Sequence, residues 1–451
     1  METSPPNRML INAFSMNCVS HIQHGMWVRD DTRQVDYTDL GTWVELAQIL
    51  ERGCFDALFL ADVTGVYDNF RGGPETALRE AMQIPVNDPT LLIPTMAHAT
   101  KHLGFAYTGS ILAEHPFIFA RRGSTLDHLT KGRVAWNIVT SYLPSAAHNL
   151  GFDELPGHDA RYDLGDEYLD VLYKLWEASW DDDAVVRDTE RGVYTEPDRV
   201  HMIDHHGPHY DVPGPHLCEP SPQRTPLLFQ AGMSDRGREF AARHAEGVFI
   251  AASRKGAAKV VADVRQRAVA YGRNPDDLKF FLAVSPIVGG TEAEAIAKRE
   301  SLKETLSIDG GLVHMSGNIG ADLGEIDPHQ PLSTFDTERV QGVVQNMLAA
   351  ESDKSLTFAD VIARQMSGQW LTGTPEQIAD VLESLTAVGV DGFNIVYTTT
   401  PGTFVDFIDG VVPELQRRGV MQTEYAPGTL REKLFGHPRL PDNHPAAAFR
   451  R

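Results

Sequence analysis

The sequence predicts an α/β protein, a TIM-type (β/α)8 barrel with several insertions. Three observations predict it. Apolar runs of strand length alternate with stretches of helical period, eight such pairs occur, and the apolar runs turn polar at their carboxyl ends. Alternation of strands with helices implies parallel pairing, and eight parallel strands favour closure into a ring. Polar residues at the carboxyl ends of strands are where such a barrel carries its chemistry. An open, doubly wound sheet is the alternative. Against it, no G-x-G-x-x-G follows the first strand, so the dinucleotide fingerprint of that architecture is missing.

The first strand runs from Leu10 to Met16 and gives way to Asn17, Cys18, Ser20, His21 and His24. Between Tyr37 and Gly53, the residues Leu40, Trp43, Leu46, Ala47 and Leu50 recur at helical spacing, and Gly53 suits a helix stop. Phe55 to Asp62 is apolar almost throughout, as befits a strand buried on both faces, and it ends on a carboxylate. The loop that follows is an insertion near 63–87, and βα loops of that length often carry function. A helix over Asp88–Lys101, a strand over Leu103–Ser110, a helix over His115–Leu129 and a strand over Arg133–Ser141 come next. A polar connector leads from Tyr142 to Arg161, and a helix then shows Leu164, Tyr168, Leu172, Leu175 and Trp176 on one face.

The period is lost from Trp180 to Arg224, which predicts an insertion (near 180–225) with little regular structure and a short hairpin around His209 to Val212. Strands ending at Gly232, Ser253 and Gly290 then alternate with helices over Asp235–His244, Ala257–Tyr271 and Thr291–Leu306. A further insertion, Ser307 to Gln369 (near 307–370), holds glycine patches and His314. The last unit is a helix over Thr374–Val388, a strand over Asp391–Thr398 and a helix over Phe404–Arg418. The tail after Gly419 is polar and Pro-rich, and is expected either to pack on a neighbour or to stay loose. The whole chain, 1–451, reads as one barrel domain with these insertions.

Composition narrows the function. With 40 basic and 62 acidic residues the net charge is −22, which repels phosphate backbones and anionic membrane surfaces. Neither nucleic acid nor a membrane is an expected partner; a small molecule is. Cys18, Cys54 and Cys218 are too few and too scattered for a disulfide framework and suit a reducing cytoplasm. No apolar run is long enough to span a bilayer.

Several clusters could carry chemistry. In QAGMSDRG, Gln230–Gly237, a strand ends, Ser234 stands where a helix cap belongs, and a helix begins. That is either an ordinary capped helix or an anion seat made of free N–H groups. Cys18 beside His21 and His24 reads either as an activated thiol or as a buried cysteine next to polar loop residues. His201, Asp204, His205, His206 and His209 hint at a metal, but Gly207 and Pro208 interrupt the helix that would align them, so no metal is expected. Asp62 at a strand end could be an acid, a base, a cofactor contact or a structural partner.

Taken together, NAFSMNCVSHIQHG, FDALFLADV, REAMQIPVNDP, LDHLTKGRVAWNIVTS, HDARYDLGDEYL, PGPHLCEPSPQRTPLLFQAGMSDRGREFA and DGFNIVYTTTPGTFVDFIDGVVPELQRRG resemble the flavin-dependent monooxygenases of the bacterial luciferase superfamily. The resembling branch contains nitrilotriacetate, dibenzothiophene-sulfone and long-chain alkane monooxygenases, and the likeness is greatest to the alkane-oxidising members. The resemblance implies a TIM-type barrel, reduced FMN supplied by a separate flavin reductase, and O2 as co-substrate, which meet as a C4a-(hydro)peroxyflavin. It implies a homodimer or homotetramer in the cytoplasm.

Residue by residue, the resemblance points to Asp62, Ser110, Asn137, His158, Tyr162, Gly232 and Ser234 for FMN, with the phosphate near Tyr162 and Ser234. It places Cys18, His21, Tyr67, Gln83 and His314 over the flavin ring as the catalytic group. Alkane-oxidising members have a histidine where this chain has Tyr142, and Thr-Thr-Tyr where it has Ile111, Leu112 and Ala113. Both changes are expected to face the pocket, so the substrate stays open: an alkane or similar apolar chain, a heteroaromatic, a sulfone or a second flavin. A deazaflavin-dependent oxidoreductase that uses no O2 is a further alternative.

Overall fold

The computed structural model describes residues 8–332 and 355–451. Eight parallel strands form its centre: β1 (Leu10–Met16), β2 (Ala57–Ala61), β3 (Gly104–Ser110), β4 (Val134–Val139), β5 (Leu227–Gln230), β6 (Gly247–Ile250), β7 (Lys279–Val288) and β8 (Gly392–Val396). They pair in chain order, and β8 returns to β1 with Leu10 opposite Gly392 and Phe14 opposite Val396. The link between β6 and β7, from Gly247–Lys279 to Ile250–Leu282, completes the ring. The open sheet is therefore excluded.

Alternation along each strand sorts two cores. Leu10, Phe14, Phe59, Ala106, Ala135, Phe229 and Phe281 fill the barrel. Ile11, Ala13, Leu58, Leu60, Phe105, Trp136 and Leu228 pack outward against the helices. Even the polar interior is paired where it is deep, with Asn12 Nδ2 donating to Asn394 Oδ1 at 3.0 Å. The helical layer follows the periodicity: Leu40–Arg52 buries Trp43, Leu46, Ala47 and Leu50, capped by Asp39.

Several expectations are corrected. Asp88–Lys101 is a 3-10 turn, Pro89–Leu91, followed by a short helix, Ile93–Ala99, because Pro89 and Pro94 each open a new first turn. The segment after Trp180 holds the expected hairpin, His205–His206 with Asp211–Val212, and an unexpected one, Val185–Asp188 with Val193–Thr195. The insertion near 307–370 carries regular elements. It holds helices Ile308–Ile319 and Phe358–Met366, and the strand Trp370–Gly373 extends the sheet beside β7. Part of it, 333–354, lies outside the described residues.

The tail does not stay loose. Helix Leu430–Phe435 drives Leu430, Leu434 and Phe435 into the amino end of the barrel core. Arg431, fully buried, gives Nε to Glu246 Oε1 at 2.7 Å and Nη2 to the Thr225 carbonyl at 2.9 Å. The apolar faces of this short helix were hidden in the sequence by its charged neighbours. Removing one partner of a buried pair strands the other charge at a cost of about 3–5 kcal/mol. Arg431→Ala is expected to lower the unfolding free energy by about that amount, read by urea denaturation, while Lys433→Ala, which removes a hydrogen bond to the His102 carbonyl rather than an ion pair, costs less.

Candidate active site

Because all strands run one way, their carboxyl ends form a single rim, and the residues singled out in the sequence gather there. Asp62 follows β2, Ser110 ends β3 and Asn137 lies near the end of β4. Ser110 Oγ meets Ser141 Oγ at 2.7 Å and accepts from the Leu112 N–H at 3.2 Å. Asn137 Nδ2 donates to Thr108 Oγ1 at 3.0 Å, whereas its Oδ1 is buried without a partner. Burial pushes the Asp62 carboxyl up to about 7, and Asp88 adds to it, against a single opposing hydrogen bond from the Val63 N–H.

The residues expected over the flavin ring gather near the end of β1. The Gln83 N–H donates to the Ser20 carbonyl at 2.9 Å and Gln83 Nε2 to the His21 carbonyl at 3.3 Å. Tyr67 Oη donates to Gln83 Oε1 at 3.4 Å and touches Tyr142 Oη. Helix Ile308–Ile319 lays His314 across this cluster, with the His314 and Tyr67 rings 5.6 Å apart and edge-on. Gly310 and Gly317 permit the approach: an added Cβ would come 2.7 Å from His24 Cβ and 2.1 Å from the Tyr67 ring. Above the cluster, Phe70, Leu143, Leu312, Val313 and Phe358 form a separate apolar core that serves as a roof.

That roof sets the charge states. Burial lowers His21 to about 3, with His314 a smaller cause, and lowers His314 to about 4. Burial raises the Cys18 thiol, with Asp62 adding to the effect, and its Sγ donates to the Ser20 carbonyl at 3.3 Å. Of the two readings of Cys18, this environment supports the protonated pocket wall and opposes a thiolate.

The third group lies at the helix Asp235–His244, whose cap is Ser234 Oγ accepting from the Gly237 N–H at 3.0 Å. Helix His158–Tyr173 brings Tyr162 against it, and the His158 ring stands 5.3 Å from that of Tyr162, half-exposed and paired with Asp159. A Cβ on Gly232 would lie 2.3 Å from Gln230 Nε2 and 2.5 Å from Tyr162 Oη, and one on Gly237 2.8 Å from Tyr162 Oη. Arg236 is spent on Asp163 and Asp166, at 3.0 and 2.6 Å.

Sequence reasoning missed three features. His24 Nε2 bonds His314 Nδ1 at 3.0 Å, Ser141 pairs with Ser110, and Tyr142 reaches Tyr67. The His21-x-x-His24 spacing was the available signal for the first; the others depend on loops meeting in space. The expectation that Ile111–Ala113 face the pocket holds only for Ala113, because Ile111 and Leu112 are buried in the helix-facing core. Among the described residues, no group of three or more His, Cys, Asp or Glu could hold a metal ion. His205 instead pairs with Glu167 and Lys174.

A closed parallel barrel with a roofed rim of neutral donors and acceptors is the frame of a flavin-dependent monooxygenase. The chain belongs to the luciferase-like monooxygenases, whose family profile matches residues 16–392. It is 52% identical to the long-chain alkane monooxygenase of Geobacillus thermodenitrificans (strain NG80-2) over 98% of this chain and 97% of that protein. It is 48% identical to the dimethyl-sulfide monooxygenase of Hyphomicrobium sulfonivorans, over 98% of this chain and 94% of the other. The crystal structure of long-chain alkane monooxygenase superposes with a TM-score of 0.90, covering 98% of this chain and 99% of that one.

The raised Asp62 gives a signed prediction. Its carboxyl is disfavoured when ionised, so the folded state binds the extra proton and stability falls as pH rises from the ordinary value of 3.8 to about 7. Asp62→Asn removes that dependence. The variant's stability advantage over wild type should grow between pH 4 and pH 7 in urea unfolding and level off above.

Proposed function

We propose that this chain binds reduced FMN, delivered by a separate reductase, at the carboxyl rim, and uses it with O2 to oxygenate an apolar organic substrate of the long-chain alkane type. The relatives named for a long-chain alkane and for dimethyl sulfide are 52% and 48% identical to this chain, against 35% for the one named for nitrilotriacetate, which favours apolar substrates over anionic ones. The reading includes a cytoplasmic homodimer or homotetramer and a single barrel domain.

The residues present suit the flavin. The observation that carries the reading is the close approach of Tyr162 Oη to Gly232 and Gly237 beside the Ser234 cap, at a distance where a Cβ on either glycine would collide. Tyr162 Oη and the first-turn N–H groups behind Ser234 would hold the phosphate, since Arg236 is already neutralised. Asn137 Oδ1, buried and unpartnered, and Ser110 would meet the polar edge of the ring. His158 flanks the mouth, and Asp62 stands at the rim as a carboxyl that is half protonated near neutral pH. Reduced flavin supplies the electrons that activate O2.

The chain's own groups then do three things. The apolar roof excludes water, which protects a reactive centre from side reactions. Neutral His21 and His314 each present one donor and one acceptor nitrogen, so either can relay a proton without becoming charged only by taking one up at one nitrogen as it releases one from the other. Cys18, Tyr67 and Gln83 fix the shape of the wall, held by their hydrogen bonds to the Ser20 carbonyl, Gln83 Oε1 and the His21 carbonyl.

The test is a coupled assay with FMN, a reductase, O2 and a panel of alkanes and organosulfur compounds. Oxygenated product is expected; product formation without O2 would instead mean a deazaflavin-type oxidoreductase. Cys18→Ala and His314→Ala are both expected to raise peroxide released per O2 consumed; His314→Ala is also expected to lower product by about 10²–10⁴-fold, the range of a positioned acid–base group, and Cys18→Ala, a change in the wall, by less. Full coupling in both variants contradicts their assignment.

A further inference from the structure

His24, in the loop after β1, is fully buried. Its Nε2 lies 3.0 Å from Nδ1 of His314. The two rings meet edge-on, with 5.1 Å between centroids and 81° between planes. The backbone of His24 holds the same helix. Its carbonyl accepts from the Ser307 N–H at 3.0 Å. Ser307 caps helix Ile308–Ile319, its Oγ accepting from the Gly310 N–H at 2.9 Å and donating to Glu80 Oε2 at 2.6 Å. Gly25 is equally constrained: it sits at φ +93°, and a Cβ there would meet the Thr305 carbonyl oxygen at 2.1 Å. Ring and backbone of His24 therefore fix both the start of the helix and the side chain it carries.

The shared hydrogen bond also fixes where the protons lie. Burial keeps both rings neutral, holding His24 well below the ordinary histidine value, with His314 and His21 as smaller causes, and His314 at about 4. Each ring then carries one proton on one nitrogen. Were His314 Nδ1 the donor, His24 would carry its proton on Nδ1, which is buried and has no partner among the described residues. A buried N–H without an acceptor is rare because it forfeits its hydration for nothing. Both rings would also adopt the Nδ1–H form, the less stable tautomer of free histidine. With His24 Nε2 as donor, both rings take the commoner Nε2–H form, and only a bare ring nitrogen is left unpaired.

We infer that His24 is a positioning residue for the oxygenation, its Nε2–H holding His314 in one tautomer and one orientation so that His314 presents an N–H to the pocket. That role rests on the reading of a reduced flavin beneath His314. The two nitrogens of an imidazole point to opposite sides of the ring, so an Nδ1 tied to His24 turns Nε2 away from it. His314 is also the partly exposed member of the pair. The pair is not a proton wire, since a wire would end at the sealed His24 Nδ1.

The test is nitrogen-15 magic-angle-spinning NMR of the full, ligand-free chain labelled at histidine, at pH 7. Beside it stands coupled turnover with FMN, a reductase, O2 and the alkane that turns over fastest. The His314 signals are those lost in His314→Gln. In the wild type, His314 is expected to be protonated at Nε2 alone. His24→Phe fills the space and donates nothing. It should mix the two tautomers of His314, raise peroxide released per O2 and lower product about fivefold, the worth of one neutral hydrogen bond. His24→Gln, whose amide donates in place of the ring, should keep the Nε2–H form and restore most of the product. Reduced-FMN affinity should be unchanged in both. An Nδ1–H on His314 in the wild type overturns the proposal. So does a single unchanged tautomer in His24→Phe, or equal loss of product in His24→Phe and His24→Gln, the mark of a packing role. The wild-type spectrum decides even where a His24 variant fails to fold. A wild type with the Nε2–H form that does not bind reduced FMN overturns the flavin reading and leaves the His24–His314 assignment standing.

Discussion

The structure depends on ring closure. Eight parallel strands leave two unpaired edges unless the last meets the first, and here β8 pairs with β1 along five residues. Closure with one strand direction forces every carboxyl end to a common rim. It also leaves the opposite end to be sealed, and the helix Leu430–Phe435 with the buried Arg431–Glu246 pair does so. With the interior packed by Phe14, Phe59, Phe229 and Phe281, the carboxyl rim is the one end of the barrel open to chemistry.

The roof then decides what that chemistry can use. Burial works against whichever form of a group is charged. It keeps His21, His24 and His314 neutral, the Cys18 thiol protonated and Asp62 poised near neutrality. The result is a rim rich in hydrogen-bonding groups and poor in charge, matched to a neutral substrate portion and to a reaction that water would spoil. Charged side chains pair away from it, Glu114 with Arg122, and Arg236 with its two aspartates at the helix Asp235–His244.

Much of this was legible in the sequence because barrel strands and their helices obey local rules. Period and strand length located all eight strands, and the polar residues at or just past their ends, Asn17, Asp62, Ser110, Thr140 and Ser141, marked the rim. What escaped was non-local. The tail helix carries Arg431 and Lys433 among its apolar residues, so only the partners Glu246 and the His102 carbonyl reveal it as buried. The insertion near 307–370 reads as glycine-rich, yet its glycines serve close approach to His24 and Tyr67. Ile111 and Leu112 follow a strand end, where sequence cannot say which face a turn presents. The site residues themselves came from the resemblance more than from spacing, since Tyr67, Gln83 and His314 are far apart in the chain and meet only through two loops and a helix.

The central claim is that one rim seats a reduced flavin between the Ser234 helix cap and the buried histidines. A crystal structure of the chain grown anaerobically with reduced FMN tests it most directly. The account predicts the phosphate within hydrogen-bonding distance of Tyr162 Oη and the N–H groups following Ser234, with the ring lying against Ser110 and Asn137 beneath His314. A flavin bound elsewhere on the barrel, or a rim that stays empty at saturating reduced FMN, would contradict it.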